Sequence, residues 1–186
     1  MIRLHTAAST ALASAILLLL VQGAWTAQAS EEHLDAEDRW TKTLRIVRET
    51  FPDVPQLSTE RLAELLAEDA DVVLVDARSE KEFETSHLQG AIRATSVRVA
   101  RRKLAQHDGK PTVVVYCSVG YRSSRLAERL GDQGVENVFN LEGSLFKWAN
   151  EGRPIHRGSK PVRIVHPFDP DWGKLLDKAL WSEQPP

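Results

Sequence analysis

Two apolar runs set the strongest limit on what this chain can fold into. Val72-Val73-Leu74-Val75, closed by Asp76, and Thr112–Tyr116 (TVVVY), running into Cys117, show no alternation of apolar and polar residues. A strand with one wet face alternates, whereas a strand covered on both faces reads as a continuous apolar run. Val138-Phe139-Asn140-Leu141 is a third strand candidate. Helix-like segments separate them. Ser58 can cap a helix carrying Leu62, Leu65 and Leu66, and residues 79–84 (SEKEFE) suit a short helix ahead of a turn at His87-Leu88-Gln89-Gly90. Val97–Leu104 reads as a helix with a basic outer face, and Ser123–Leu130 as one with Leu126 and Leu130 on one side, ended by Gly131 and Gly134. A last short helix, Ser144–Asn150, presents Leu145, Phe146 and Trp148. Strands alternating with helices predict an α/β fold with a parallel sheet covered on both faces. In such sheets ligands bind beyond the carboxyl ends of the strands, where Cys117 stands.

The first 30 residues differ in kind. Arg3 and the amino terminus supply positive charge, Ala11–Val21 (ALASAILLLLV) form a short apolar core, and Ala27-Gln28-Ala29 offers a small-residue cleavage site. This order predicts a secretory signal peptide over residues 1–29, removed after Ala29, and an exported, periplasmic protein. A retained membrane anchor is the competing reading, although Ser, Thr and Gln dilute both ends of a stretch that would need ~20 strongly apolar residues to span. Residues 31–50 place Leu34, Trp40, Leu44 and Val47 at helical spacing, and the prolines of Phe51-Pro52-Asp53-Val54-Pro55 break the pattern. The expected organisation is a leader (1–29), a helical extension (30–54), a main domain (55–156) and a C-terminal extension (157–186).

Cys117 is the single cysteine of the chain. Exported proteins that use cysteine for stability use it in pairs, so an unpaired thiol points to a reactive group or an intermolecular partner. The competing reading is a small buried hydrophobe. Position separates the two. Ser118-Val119-Gly120-Tyr121-Arg122 leads from the strand into a helix whose first amides lack intrahelical partners. Amides curled around a sulfur stabilise its anion, and a nearby cation lowers its pKa further. Gly120 permits the backbone angles of a tight loop, and Arg122 can brace it or meet an anionic substrate. A thiolate in such a cradle suits two reactions: phosphate-ester hydrolysis through a phosphocysteine, or sulfur transfer through a persulfide. The charge balance, 24 basic against 26 acidic residues, gives no footprint for nucleic acid. One cysteine and scattered histidines offer no metal-ligand spacing, and no cofactor is expected. The basic run Arg98, Arg101, Arg102, Lys103 reads as the wet side of a helix.

Two blocks carry a resemblance. VVLVDARSEKEFETSHLQGAI (72–92) and YCSVGYRSSRLAERLGDQGVENVFNLEGSLFKW (116–148) resemble, in order, the conserved blocks of the rhodanese family of sulfurtransferases in its single-domain form, over roughly residues 55–156. The resemblance implies a parallel five-stranded sheet with helices on both faces. It implies Cys117 as the persulfide-forming nucleophile, with Ser118, Val119, Gly120, Tyr121 and Arg122 completing the substrate cradle. The implied partners are a small sulfur-containing anion such as thiosulfate as donor and a thiol or cyanide as acceptor. Related phosphatases have one residue more between cysteine and arginine, and the tyrosine-phosphatase signature expects histidine where this chain has Tyr116. A phosphatase or arsenate reductase is thus the weaker enzymatic alternative, and a binding or sensing module the non-enzymatic one. Asp76, Arg78 and His87 match family positions but are expected to hold loops by hydrogen bonds. Gly143-Ser144 replaces a frequent Gly-Gly pair, with Ser144 expected to cap the last helix. In the C-terminal extension, Leu175, Leu176, Leu180 and Trp181 form a short amphipathic stretch that either packs back on the domain or docks a partner protein.

Overall fold

The alternation of runs and helices is realised as a five-stranded parallel sheet. The structure, a computed structural model, describes residues 35–182; the expected leader and the position of Leu34 lie outside them. Residues 35–50 are helical (α1), and the compact unit described below starts at Trp40 within that helix. There follow β1 (Gln56–Leu57), α2 (Thr59–Ala67), β2 (Val72–Asp76), α3 (Glu80–Thr85), β3 (Ile92–Arg93), α4 (Val97–Leu104), β4 (Thr112–Tyr116), α5 (Tyr121–Asp132), β5 (Val138–Leu141) and α6 (Ser144–Asn150). The strand order is β1-β5-β4-β2-β3, all parallel, with β4 in the centre. The two-residue edge strands β1 and β3 are too short to carry a periodic signal, and their pairing comes from the sheet itself. Beyond α6, β6 (Ile155–Arg157) and β7 (Lys160–Val162) form a small antiparallel hairpin that the sequence pattern did not announce.

The continuous apolar runs divide between two cores because successive strand side chains point to opposite faces. Leu74, Val114, Tyr116 and Leu141 meet Leu62 of α2 and Leu145, Phe146 and Trp148 of α6 on one face. Val75, Val113, Val115 and Cys117 meet Ala100 of α4, Leu126, Ala127 and Leu130 of α5, and Val47, Phe51 and Val54 on the other. Each Val, Leu or Phe among them, once buried, contributes about 1.5–3 kcal/mol. Cys117 therefore inherits the face of Val113 and Val115, the face that α5 covers.

Asp76, Arg78 and His87 hold the chain that leads to α3 and β3. Asp76 Oδ1 accepts from the Arg78 amide at 2.9 Å, and Asp76 Oδ2 pairs with Arg78 Nη2 at 2.6 Å, both side chains being inaccessible. Arg78 Nη2 also donates to the Ser86 carbonyl, and the Leu88 amide donates to the Tyr116 hydroxyl. His87 Nδ1 lies 2.8 Å from the Phe83 carbonyl while its ring stacks on Phe83. A buried pair of this kind ties parts together; removing one partner strands a charge in the core.

The C-terminal segment packs on the domain. Val165, Leu175, Leu176 and Leu180 are buried with the first core cluster, and Trp181 packs against it. Asn150 Nδ2 donates to the Leu175 carbonyl, and Asn150 Oδ1 accepts from the Asp177 amide, so α6 grips the segment by its backbone. Two short 3₁₀ turns, Trp172–Leu175 and Lys178–Leu180, replace any regular helix there. Among the described residues, no helix is long and apolar enough to cross a membrane.

Candidate active site

β4 delivers Cys117 to the carboxyl edge of the sheet, and the chain turns sharply around the sulfur. The Gly120 amide donates to Cys117 Sγ at 3.2 Å. Gly120 adopts φ +116°, which L side chains rarely enter, and a Cβ there would meet Asn140 Nδ2 at 3.3 Å. It is also the N-terminal cap of α5, which starts at Tyr121 rather than at the expected Ser123. Tyr121 and Arg122 are thus already helical, and the loop proper is only Cys117–Gly120. The thiol is buried, with 1% of its surface exposed.

A second layer fixes the loop. Ser144 Oγ accepts from the Cys117 amide at 3.1 Å and lies 3.1 Å from the Leu141 carbonyl, to which it donates. The expected cap role of Ser144 is not realised. Gly143 is the cap residue of α6, and Ser144 sits one position further, at φ +52°, with its hydroxyl turned back toward Cys117. The first amides of α6 hold the loop from the same side: Leu145 donates to the Cys117 carbonyl and Phe146 to the Ser118 carbonyl. Ser123 Oγ lies 3.4 Å from Cys117 Sγ and 2.6 Å from Asn140 Oδ1. A hydroxyl has one proton, so Ser123 Oγ donates to one of these two acceptors at a time, and a charged sulfur competes with Asn140 for it. Asn140 in turn donates to Gln56 Oε1 at 2.7 Å, which ties the network to β1.

Arg122 clamps the loop against α3. Its Nη1 and Nη2 donate to the two carboxylate oxygens of Glu82, at 2.9 and 2.7 Å, and Nη2 also donates to Ser118 Oγ at 2.9 Å. Glu82 is buried and completes a capping box with Ser79 at the start of α3. Burial opposes its ionisation, yet the Arg122 and Ser79 bonds hold its pKa down at about 2. Burial likewise pushes the Cys117 thiol up, but the Arg122 charge, the Ser123 hydroxyl, and the Gly120 and Ser123 amides outweigh it and leave the thiol below its ordinary value. The site thereby favours thiolate, the nucleophilic form.

Each residue singled out in the sequence sits at this one loop. Cys117, Ser118, Val119, Tyr121 and Arg122 line a pocket of about 190 Å³, with Phe168 and Trp172 of the C-terminal segment closing its outer side. Gly120 is not part of that lining and meets the sulfur through its amide. The reading of the sequence missed Glu82, Asn140, Phe168 and Trp172. The Ser-x-x-Glu spacing of residues 79–82 signals a capping box, but not a clamp on a loop 40 residues away. No local signal places Phe168 and Trp172. Among the described residues no cluster of His, Cys, Asp and Glu could hold a metal.

An activated thiol at the carboxyl edge of a five-stranded parallel sheet, cradled by the amide of an α-helix cap, defines a class of α/β proteins with a cysteine loop. Residues 58–151, half of the chain, match the rhodanese-like domain, and the chain belongs to that family. A sulfurtransferase of Allochromatium vinosum is 32% identical over 102 residues, 55% of this chain and 94% of that protein. A tRNA uridine(34) hydroxylase of Yersinia enterocolitica is 28% identical over 120 residues, 62% of this chain but 34% of the relative, so the chain spans about a third of that protein's length. Among solved structures, thiosulfate sulfurtransferase from Pseudomonas aeruginosa superposes with a TM-score of 0.55 at 25% identity, covering 66% of this chain and 24% of that one.

Proposed function

We propose that this protein is a sulfurtransferase that moves a sulfane sulfur from a donor such as thiosulfate to a thiophilic acceptor, cyanide or a small thiol, through a persulfide on Cys117. The observation that carries the reading is that Cys117 lines a pocket while the Gly120 amide is directed onto its sulfur at 3.2 Å. The Cys117 thiolate attacks the terminal sulfur of the donor, and the remainder of the donor leaves with the electron pair of the broken sulfur–sulfur bond. The persulfide anion extends toward the loop amides, which favour negative charge. The acceptor then takes the outer sulfur and returns the thiolate. Two half-reactions sharing one enzyme form give ping-pong kinetics. The length of the loop, four residues between Cys117 and Arg122, supports sulfur over phosphate chemistry.

Thiosulfate treatment followed by intact-protein mass measurement tests the proposal. The expected product is one added sulfur atom on the native chain and none on Cys117→Ser, with the folded circular dichroism spectrum retained in both. Undiminished transfer by Cys117→Ser, or turnover of small aryl phosphates in place of sulfur transfer, sinks the reading. We propose further that residues 1–29 direct export to the periplasm and are removed. Amino-terminal sequencing of protein recovered from the producing cell is expected to begin at Ser30, whereas an intact leader in the membrane fraction argues for an anchor.

A further inference from the structure

Three of the five exposed large hydrophobic residues among those described surround the thiol pocket. Tyr121, Phe168 and Trp172 are 41%, 41% and 37% exposed, and all three line the opening above Cys117. Large aromatic side chains left in water and gathered at one opening mark a contact surface. Their placement is built rather than incidental. Tyr121 is held edge-on by Phe51, with ring centroids 5.1 Å apart. Phe168 takes φ +69°, its amide donating to His166 Nδ1 at 3.0 Å, and its ring covers the Arg122 guanidinium at 4.5 Å. The Trp172 amide donates to Asp169 Oδ1 at 2.8 Å, and the next residue, Gly173, is pressed so closely that a Cβ would fall 2.8 Å from Trp181.

The electrostatics of the pocket point the same way. Among the described residues lining it, Arg122 alone is charged, and Glu82 already neutralises it through two hydrogen bonds. A small dianion entering here exchanges its hydration for a paired cation and a few amides. A monoanion bearing a ring exchanges water for aromatic walls. The volume, about 190 Å³, exceeds the roughly 150 Å³ cavity that accepts a benzene ring.

We infer that Phe168 and Trp172, supplied by the C-terminal segment, form an aromatic subsite that selects sulfane donors carrying an aryl or comparable flat apolar group, typified by aryl thiosulfonates, over thiosulfate. This inference rests on the sulfurtransferase reading and specifies its substrate class. With such a donor, the Cys117 thiolate attacks the terminal sulfur and a new bond forms to Sγ. The bond from that sulfur to the sulfonyl sulfur breaks, and its electron pair leaves on the aryl sulfinate. Thiolate and thiosulfonate anions react to give the Cys117 persulfide anion, which stays on the protein, and the sulfinate anion, which leaves, with no proton or further oxidant consumed.

The test compares benzenethiosulfonate with methanethiosulfonate, which share the reacting group and differ in the ring. Rates of Cys117 persulfide formation are followed by mass at subsaturating donor and divided by the rate with a free small thiol. The native chain is expected to prefer the aryl donor roughly tenfold. In Phe168→Ala/Trp172→Ala the aryl-to-methyl preference is expected to fall to about one, with persulfide still formed from both donors and the folded circular dichroism spectrum retained. A native ratio near one, an unchanged ratio in the double variant, or an equal fall for both donors overturns the subsite and leaves sulfur transfer standing. Absence of persulfide from every donor, thiosulfate included, overturns the function and the subsite together.

Discussion

Cys117 owes its character to opposed effects on one sulfur atom. Burial disfavours the anion, while the Arg122 charge, the Ser123 hydroxyl and the Gly120 and Ser123 amides favour it and prevail. Alkylation of the native chain is therefore expected to show a midpoint below that of the same thiol in the urea-unfolded chain. Ser123→Ala should move that midpoint upward; a midpoint that stays put removes Ser123 from the account. Ser144 is the other residue on which the thiol depends, and its two properties can be separated. Ser144→Ala keeps the φ +52° backbone but leaves the buried Cys117 amide without an acceptor, at a cost of about 1–3 kcal/mol. Ser144→Gly loses the same bond but relieves the left-handed backbone, so urea unfolding is expected to place it between native and Ser144→Ala. The equivalence of the two variants would show that the backbone angle carries no strain.

At the scale of elements, α3 and α5 are joined through Glu82. One carboxylate caps α3 through Ser79 and clamps the loop through Arg122 and Ser118. Its pKa in the fold, about 2, lies below the unfolded value of about 4.3, so the unfolded chain binds the proton first on acidification. The stabilisation is complete above the unfolded value and disappears as pH falls through the folded one. A displacement of this size corresponds to about 3 kcal/mol at neutral pH. Circular dichroism during acid titration is expected to show Glu82→Gln less stable than the native chain at pH 7 and flatter between about pH 4.5 and 2. Parallel acid branches for the two proteins would contradict the clamp. The local half of this arrangement was legible: Ser79 and Glu82 have capping-box spacing. The half that matters for chemistry was not, because it requires α3 and the loop to be neighbours across the sheet edge.

Over the whole molecule, the C-terminal segment belongs to the core as well as to the pocket. Leu176 is 3% exposed and sits with Val165, Leu175 and Leu180 in the cluster built on β4 and α6. Leu176→Ala is expected to cost about 2–5 kcal/mol, visible as a lower urea midpoint at unchanged slope. A cost near zero would mean that the segment adheres loosely and that its apolar residues serve some other surface. Because the same segment carries Phe168 and Trp172, its packing sets the outer wall of the thiol pocket.

The residues by themselves determined the central strands, because unbroken runs at Val72–Val75 and Thr112–Tyr116, short, β-branched and alternating with helix-like segments, fit a doubly covered parallel strand. They also determined the loop, since the sole cysteine follows such a strand and precedes a helix. What only the tertiary structure decided is the company the thiol keeps. Glu82, Asn140 and Ser144 hold the loop and the first turn after it from three different elements, and Phe168 and Trp172 arrive from a tail that lies beyond the domain in sequence. Periodicity and spacing describe neighbours along the chain, whereas this environment is made by packing between segments dozens of residues apart.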